Sequence, residues 1–340
     1  MRRILLVYTG GTIGMVNDPR TGELKSFNFQ HVYDQVPELQ RFNLEIESVS
    51  FDPPIDSSEM TIEHWQTLAD IIYSTYENFD GFVVLHGSDT MAFTASALSF
   101  MLQGLRKPVI LTGSQLPIGT IRTDGKENLI TAVEIASAVN QNGDAVVQEV
   151  AVYFEYSLYR GNRCSKISAN QFEAFQSPNF PELARAGVNI DFRHDLMLRT
   201  ELAELKLFTD LSKQVALLKV YPGMPFEHYK CFFLQKEIKG LVLETFGSGN
   251  APSHPVFQDL ITYFIVSGGI VLNVTQCSSG AVNQGAYSTS SFFEKVGVIS
   301  GNDITTEAAI TKLQFLLGQN QSLEWMKMQL KTSLVGEISN

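Results

Sequence analysis

Short apolar runs alternating with helix-period segments constrain this chain more than any other feature. RILLVY (3–8), GFVVL (81–85), KPVILT (107–112) and EVAVYF (149–154) read as buried strands. Between them, TIEHWQTLADIIYSTYENF (61–79) places Ile62, Trp65, Leu68, Ala69, Ile72 and Tyr76 on one helical face. DTMAFTASALSFML (89–102) and DGKENLITAVEIASAV (124–139) predict two further helices. In the second of these, Asp124 followed three residues later by Glu127 has the form of a capping box. Such a repeat predicts an α/β fold with a mainly parallel, doubly wound sheet. The theme returns in QVALLKV (214–220), GLVLE (240–244) and GGIVLNV (268–274), which predict a second, smaller α/β domain. Residues 176–212 carry no steady period. The expected organisation is a catalytic α/β domain over 1–190, a linker over 191–212 and a C-terminal α/β domain over 213–340.

Composition narrows the partners. With 44% hydrophobic and 18% charged residues, the chain has enough apolar side chain to build real cores. A net charge of −11 disfavours nucleic acid and anionic membranes, both of which reward basic surfaces. Cys164, Cys231 and Cys277 are odd in number and far apart, so no disulfide framework is indicated. The basic start and apolar run of MRRILLVYTGG are too short for a secretory signal. No segment approaches the ~20 apolar residues of a membrane helix. A cytoplasmic location is expected.

Parallel α/β sheets bind ligands beyond the carboxyl ends of their strands. There the sequence offers Thr9 and Thr12 in TGGTIG, then His86, Ser88, Asp89 and Thr90 in HGSDT. GSQLP follows the third run, and Arg160, Arg163 and Lys166 follow the fourth. Asp56, Ser57 and Ser58 precede the helix beginning near residue 61. HExxH, CxxC, a P-loop, GxGxxG and GxSxG are all absent, so neither a metal nor a nucleotide cofactor is expected. What remains suits a hydroxyl nucleophile served by a lysine that an acid orients. Plainer roles stand beside these. Thr12, Ser88, Asp89 and Asp124 can each cap a helix, His86 can be a structural imidazole bonded to backbone, and Lys166 can be a surface lysine.

Taken together, these motifs make the sequence similar to the bacterial-type L-asparaginases, in the cytoplasmic type I branch. The matching segments are YTGGTIGM (8–15), DSSEM (56–60), DGFVVLHGSDTMAFTASALSFML (80–102), KPVILTGSQLP (107–117), LYRGNRCSK (158–166), FGSGNAP (246–252) and NVTQCSSG (273–280). The resemblance implies hydrolysis of asparagine to aspartate and ammonia without a cofactor. It assigns Thr12 as nucleophile, with Ser88, Asp89 and Lys166 as a second catalytic set. It further implies that Asp56, Ser57 and Ser58 form a substrate loop, with Asp89 taking the α-ammonium. Asn250 matches a position that reaches the neighbouring subunit's site, which implies a homodimer or a homotetramer built from two dimers.

Three positions depart from the pattern. Ser88 stands where the family's usual residue is threonine. Residues 13–32 contain no tyrosine, although many members carry one near the nucleophile. Glu244 stands where some type I enzymes have an arginine in an effector site, so allosteric activation is not implied. Two other functions are compatible with the same pocket: an ammonia-releasing subunit of a tRNA-dependent amidotransferase, and a non-catalytic amino-acid sensor. The first resembles a longer chain with an extra domain before the first strand; the second has no need of Lys166. A phosphate cradle at TGGTIG lacks the lysine and hydroxyl of a P-loop.

Overall fold

The computed structural model describes residues 1–17, 24–26, 36–285 and 288–339. The chain divides into two compact units, Met1–Thr209 and Asp210–Asn340. It is a mixed α/β protein with a large, mainly parallel sheet in the first unit and a smaller parallel sheet in the second.

In the first unit the strands are β1 (Arg2–Gly10), β2 (Leu44–Ile55), β3 (Gly81–Leu85), β4 (Val109–Thr112), β5 (Val150–Phe154), β6 (Ser157–Arg160), β7 (Ala184–Ala186) and β8 (Ile190–Phe192). Their order in the sheet is β8-β7-β6-β5-β4-β3-β1-β2. Pairing is parallel from β2 to β5 and antiparallel from β5 to β8. Alternation decides which helix covers which face. Ile4, Leu6, Tyr8, Val83, Leu85 and Ile110 pack with Leu129, Ala132 and Val133 of α3 (Gly125–Ser137). The intervening residues face the other way, where α1 (Ile62–Thr75) and α2 (Met91–Met101) pack together. Helix α2 is buried on nearly every residue, and α1 buries Ile62, Trp65, Leu68, Ala69 and Ile72, the stripe that its periodicity predicts.

Two parts of this unit lie outside the expected elements. Strand β2 has an alternating, half-exposed pattern and contains two prolines, and it forms the sheet edge, where a proline removes no needed ladder bond. Within the stretch 191–212, Ile190–Phe192 pairs with β7, and Lys206–Leu207 pairs antiparallel with Leu102–Gln103. Backbone edges left open by the sheet and by the end of α2 take up these otherwise patternless segments.

The second unit holds β9 (Val215–Lys219), β10 (Gly240–Thr245), β11 (Ile270–Thr275) and β12 (Ile299–Ser300), parallel and in sequential order. Phe257, Leu260, Ile261 and Phe264 of α4 (Pro255–Val266) pack against Leu218, Leu241, Leu243 and Val271. Helix α5 (Thr306–Gly318) also covers the sheet. Among the described residues, no helix is long and apolar enough to cross a membrane.

Candidate active site

After β1 the chain leaves to one side as β2, then returns to β1's other side as β3. That reversal is a topological switch point, and in open α/β sheets it leaves a crevice beyond the strand ends. Tyr8 pairs with Leu85, so β1 and β3 end side by side there. The glycines explain how their loops come together. Gly10 and Gly11 have φ of 137° and 86°, which only glycine adopts at little cost. A Cβ on Gly10 would collide with the backbone of Ile55, the residue before the DSSEM loop. One on Gly11 would lie 2.5 Å from Gly87 N and Cα. One on Gly87 would run into the Ser57 side chain. Three motif loops therefore touch through residues without side chains.

Thr12 begins a short 3₁₀ turn, Thr12–Gly14, whose N-cap is Gly11 with no side-chain cap. Its hydroxyl therefore does not serve as the cap of that turn. Thr9, by contrast, is buried and donates to the Leu85 carbonyl at 3.1 Å, a bond that ties the ends of β1 and β3. Most of the segment following Gly14, including the stretch without tyrosine, lies outside the described residues.

Ser88 and Asp89 lie in the turn before α2, whose N-cap is Thr90. Neither caps it. Lys166 donates instead to Ser88 Oγ at 2.8 Å and to Asp89 Oδ1 at 2.6 Å. The lysine sits on a short strand, Ser165–Lys166, paired with Phe175–Gln176, and Phe175 is anchored against Phe154 of β5. The two side chains of the ion pair are unequally covered: Lys166 is 17% exposed and Asp89 66%, so the carboxylate stays open to a ligand. Ser88 Oγ also lies 3.4 Å from Gln115 Oε1, and Gln115 Nε2 donates to the Gln171 carbonyl at 2.9 Å. Gln115 is a site neighbour that the sequence reading did not single out, although it lies in the loop directly after β4.

Asp56 accepts from Ser58 N at 2.8 Å and from Ser58 Oγ at 2.9 Å, and these bonds hold its carboxyl below the usual range. Ser57 is buried, and its carbonyl accepts from Thr90 Oγ1 at 2.7 Å. That bond joins the DSSEM loop to the HGSDT loop.

Asp124 corrects the capping-box expectation. It precedes α3 but makes no side-chain cap there. Its carboxylate turns back to accept from Gln115 N at 2.8 Å and Leu116 N at 3.1 Å, because that loop has donors with no ladder to join. Burial pushes its carboxyl up in spite of those donors. Arg160 and Arg163 are also structural. Arg160 is buried in an ion pair with Glu149 at 2.6 Å, and both guanidiniums lie over the Phe180 ring. Asn250 belongs to the second unit, where it exchanges backbone bonds of 2.9 Å with Phe246 in a tight turn. Glu244, on β10, accepts from Thr306 at 2.7 Å and pairs with Lys219 at 3.2 Å.

Comparison with known proteins identifies the family. Residues 3–198 match the family model described as "Asparaginase, N-terminal", and residues 214–329 match "Glutaminase/Asparaginase C-terminal domain". The chain belongs to the asparaginase family of amidohydrolases. It is 39% identical to L-asparaginase 1 of Escherichia coli K12 over 339 residues, covering 99% of this chain and 98% of that one. A 60 kDa lysophospholipase of Mus musculus is 40% identical over 99% of this chain and 63% of its own. The crystal structure of L-asparaginase I from Vibrio cholerae superposes with a TM-score of 0.88 at 38% identity, covering 100% of this chain and 99% of the other.

Proposed function

We propose that this member of the family is an L-asparaginase that works through a threonine acyl-enzyme. The observation that carries the reading is Lys166, whose ammonium bridges Ser88 Oγ and Asp89 Oδ1 at the switch point where the Thr12 turn also lies. A pocket that only binds an amino acid needs the acid for the α-ammonium but not a lysine on a free hydroxyl.

In this reading Thr12 Oγ attacks the side-chain amide carbon of asparagine. The threonine proton leaves with the amide nitrogen as ammonia, and a β-aspartyl ester remains. Water then cleaves the ester, returning a proton to Thr12 and releasing aspartate. Ser88 and Lys166 relay protons, while backbone N–H groups of the glycine turn and of residue 88 hold the oxyanion. The open Asp89 carboxylate takes the α-ammonium, and the Asp56–Ser58 loop takes the α-carboxylate. Asn250 completes the site of a neighbouring subunit, so the active form is a homodimer or a homotetramer. The reaction needs no cofactor, and the protein works in the cytoplasm.

Ammonia release from free asparagine by the purified chain tests the reading and separates it from both a sensor and a subunit that acts only with a tRNA partner. Thr12→Ala should remove at least ~99% of turnover, because a whole covalent route is lost. The variant should stay folded, since this hydroxyl does not cap the turn it begins. Near-parental turnover by the folded variant refutes the nucleophile assignment.

A further inference from the structure

His86 sits between β3 and the catalytic Ser88 and is fully buried. Its Nδ1 lies 2.7 Å from the Gly87 carbonyl oxygen and its Nε2 lies 2.8 Å from Thr94 Oγ1 on α2. Thr94 Oγ1 in turn accepts from Trp65 Nε1 of α1 at 2.9 Å. The Gly87 carbonyl sets the direction of the bonds at a neutral His86 ring. A carbonyl only accepts, so Nδ1 carries the proton; Nε2 of the neutral ring is then an acceptor, and the Thr94 hydroxyl, which takes the Trp65 indole N–H on one lone pair, gives its hydrogen to Nε2. The neutral species that fits is the Nδ1–H tautomer. Burial agrees, pushing the imidazole down to about 4.

The restrained group matters because of where it is. Gly87 is the residue that Gly11 and Ser57 both touch, and any side chain there would collide with Ser57. The close approach requires glycine, and glycine leaves its peptide the most freedom to rotate. That peptide carries Ser88. We propose that His86 is a positioning residue for the amide hydrolysis: its imidazole, locked by Thr94 and Trp65, holds the Gly87 carbonyl and so aims Ser88 at Lys166. The proposal rests on the asparaginase reading given above. An imidazolium is disfavoured because its charge would be fully buried against a neutral carbonyl and a neutral hydroxyl.

The test compares His86→Leu with His86→Asn. The asparagine amide nitrogen overlies the Nδ1 position and keeps a donor for the Gly87 carbonyl, whereas leucine fills the space and donates nothing. Both are assayed for ammonia release from asparagine and for thermal unfolding. We expect kcat to fall roughly tenfold or more in the leucine variant and to stay within about threefold in the asparagine variant. Stability should rank the other way, because the buried asparagine amide is less well satisfied than leucine. A merely structural histidine makes activity follow stability, so leucine would be the better enzyme. Parental kcat in His86→Leu, or equal loss in both variants, overturns the proposal.

Should neither variant fold, 15N spectra of the parent's histidines report the tautomer directly, and Nε2–H at His86 overturns the lock. Thr94→Val keeps the shape and removes the hydroxyl. It leaves Nδ1–H on the Gly87 carbonyl but frees the ring at Nε2, so kcat should fall by about threefold or more, and an unchanged kcat overturns the proposal. A parent that releases no ammonia from asparagine overturns the asparagine reading and this proposal with it. An active parent with a fully active His86→Leu variant overturns this proposal alone.

Discussion

Ser88 has one methyl fewer than the threonine usual at its place in the family, and its hydroxyl is the part that touches Lys166, at 2.8 Å. Ser88→Ala should therefore collapse turnover, and steady-state kinetics with asparagine will measure it. Ser88→Thr restores the common residue and should stay within about tenfold of the parent, ~1.4 kcal/mol of barrier. His86 gives a second prediction at this scale, about stability. Its folded form titrates at about 4 against an ordinary 6.5. Between those values the unfolded chain binds the proton and the folded chain does not, so acid favours unfolding. The histidine costs nothing above pH ~6.5, and about 3 kcal/mol of stability is lost as pH falls through the window to ~4. Urea unfolding at pH 7 and pH 4 should show a decline in the parent that exceeds that of His86→Asn by roughly this amount. An equal decline would show that other groups govern the acid limb.

Among elements, the loop after β4 depends on one carboxylate. Asp124 satisfies both Gln115 N and Leu116 N, and Gln115 contacts Ser88. Asp124→Ala leaves two part-buried donors without their acceptor and should cost about 1–3 kcal/mol in denaturant unfolding. Because Gln115 is then released, kcat should also fall. Periodicity alone locates α1, including the stripe from Ile62 to Ile72, because a helix covering one face of a sheet needs one apolar side. The same reasoning overlooks β2. An edge strand lies half in water, so its residues need not be apolar, and the clue becomes faint alternation across LEIESVSFDPPI. Asp124 was legible as an acid before a helix, but its partners lie eight and nine residues upstream in a loop that no local pattern specifies.

Each of the two units has its own main sheet and its own core, and each carries a distinct prediction. In the second unit Lys312 and Glu337 form an ion pair with both side chains fully buried, and Glu337 also accepts from Leu334 N and Val335 N. The chain's last turn is thereby tied beneath α5. Glu337→Ala strands the lysine in a dry site and should destabilise the protein by about 3–5 kcal/mol in chemical unfolding. Activity of the assembled protein is predicted to depend on a partner subunit through Asn250. Dilution should then abolish turnover while circular dichroism is unchanged; a fully active monomer by light scattering would refute that dependence.

The amino-acid sequence by itself determined the α/β class, the helix faces and the short list of strand-end residues. Those depend on local periodicity and on which residue types can do chemistry. Tertiary structure alone decided which hydroxyls are spent and which are free. Thr9 and Thr12 lie three residues apart in one motif, yet Thr9 is used to tie β1 to β3. Arg160 and Lys166 follow the same strand, yet Arg160 is buried on Glu149 while Lys166 reaches Ser88 and Asp89 from 78 and 77 residues away. Hydrogen bonds depend on approach in space to within a few tenths of an ångström, and only the packed sheet, with Gly11 against Gly87, sets that distance.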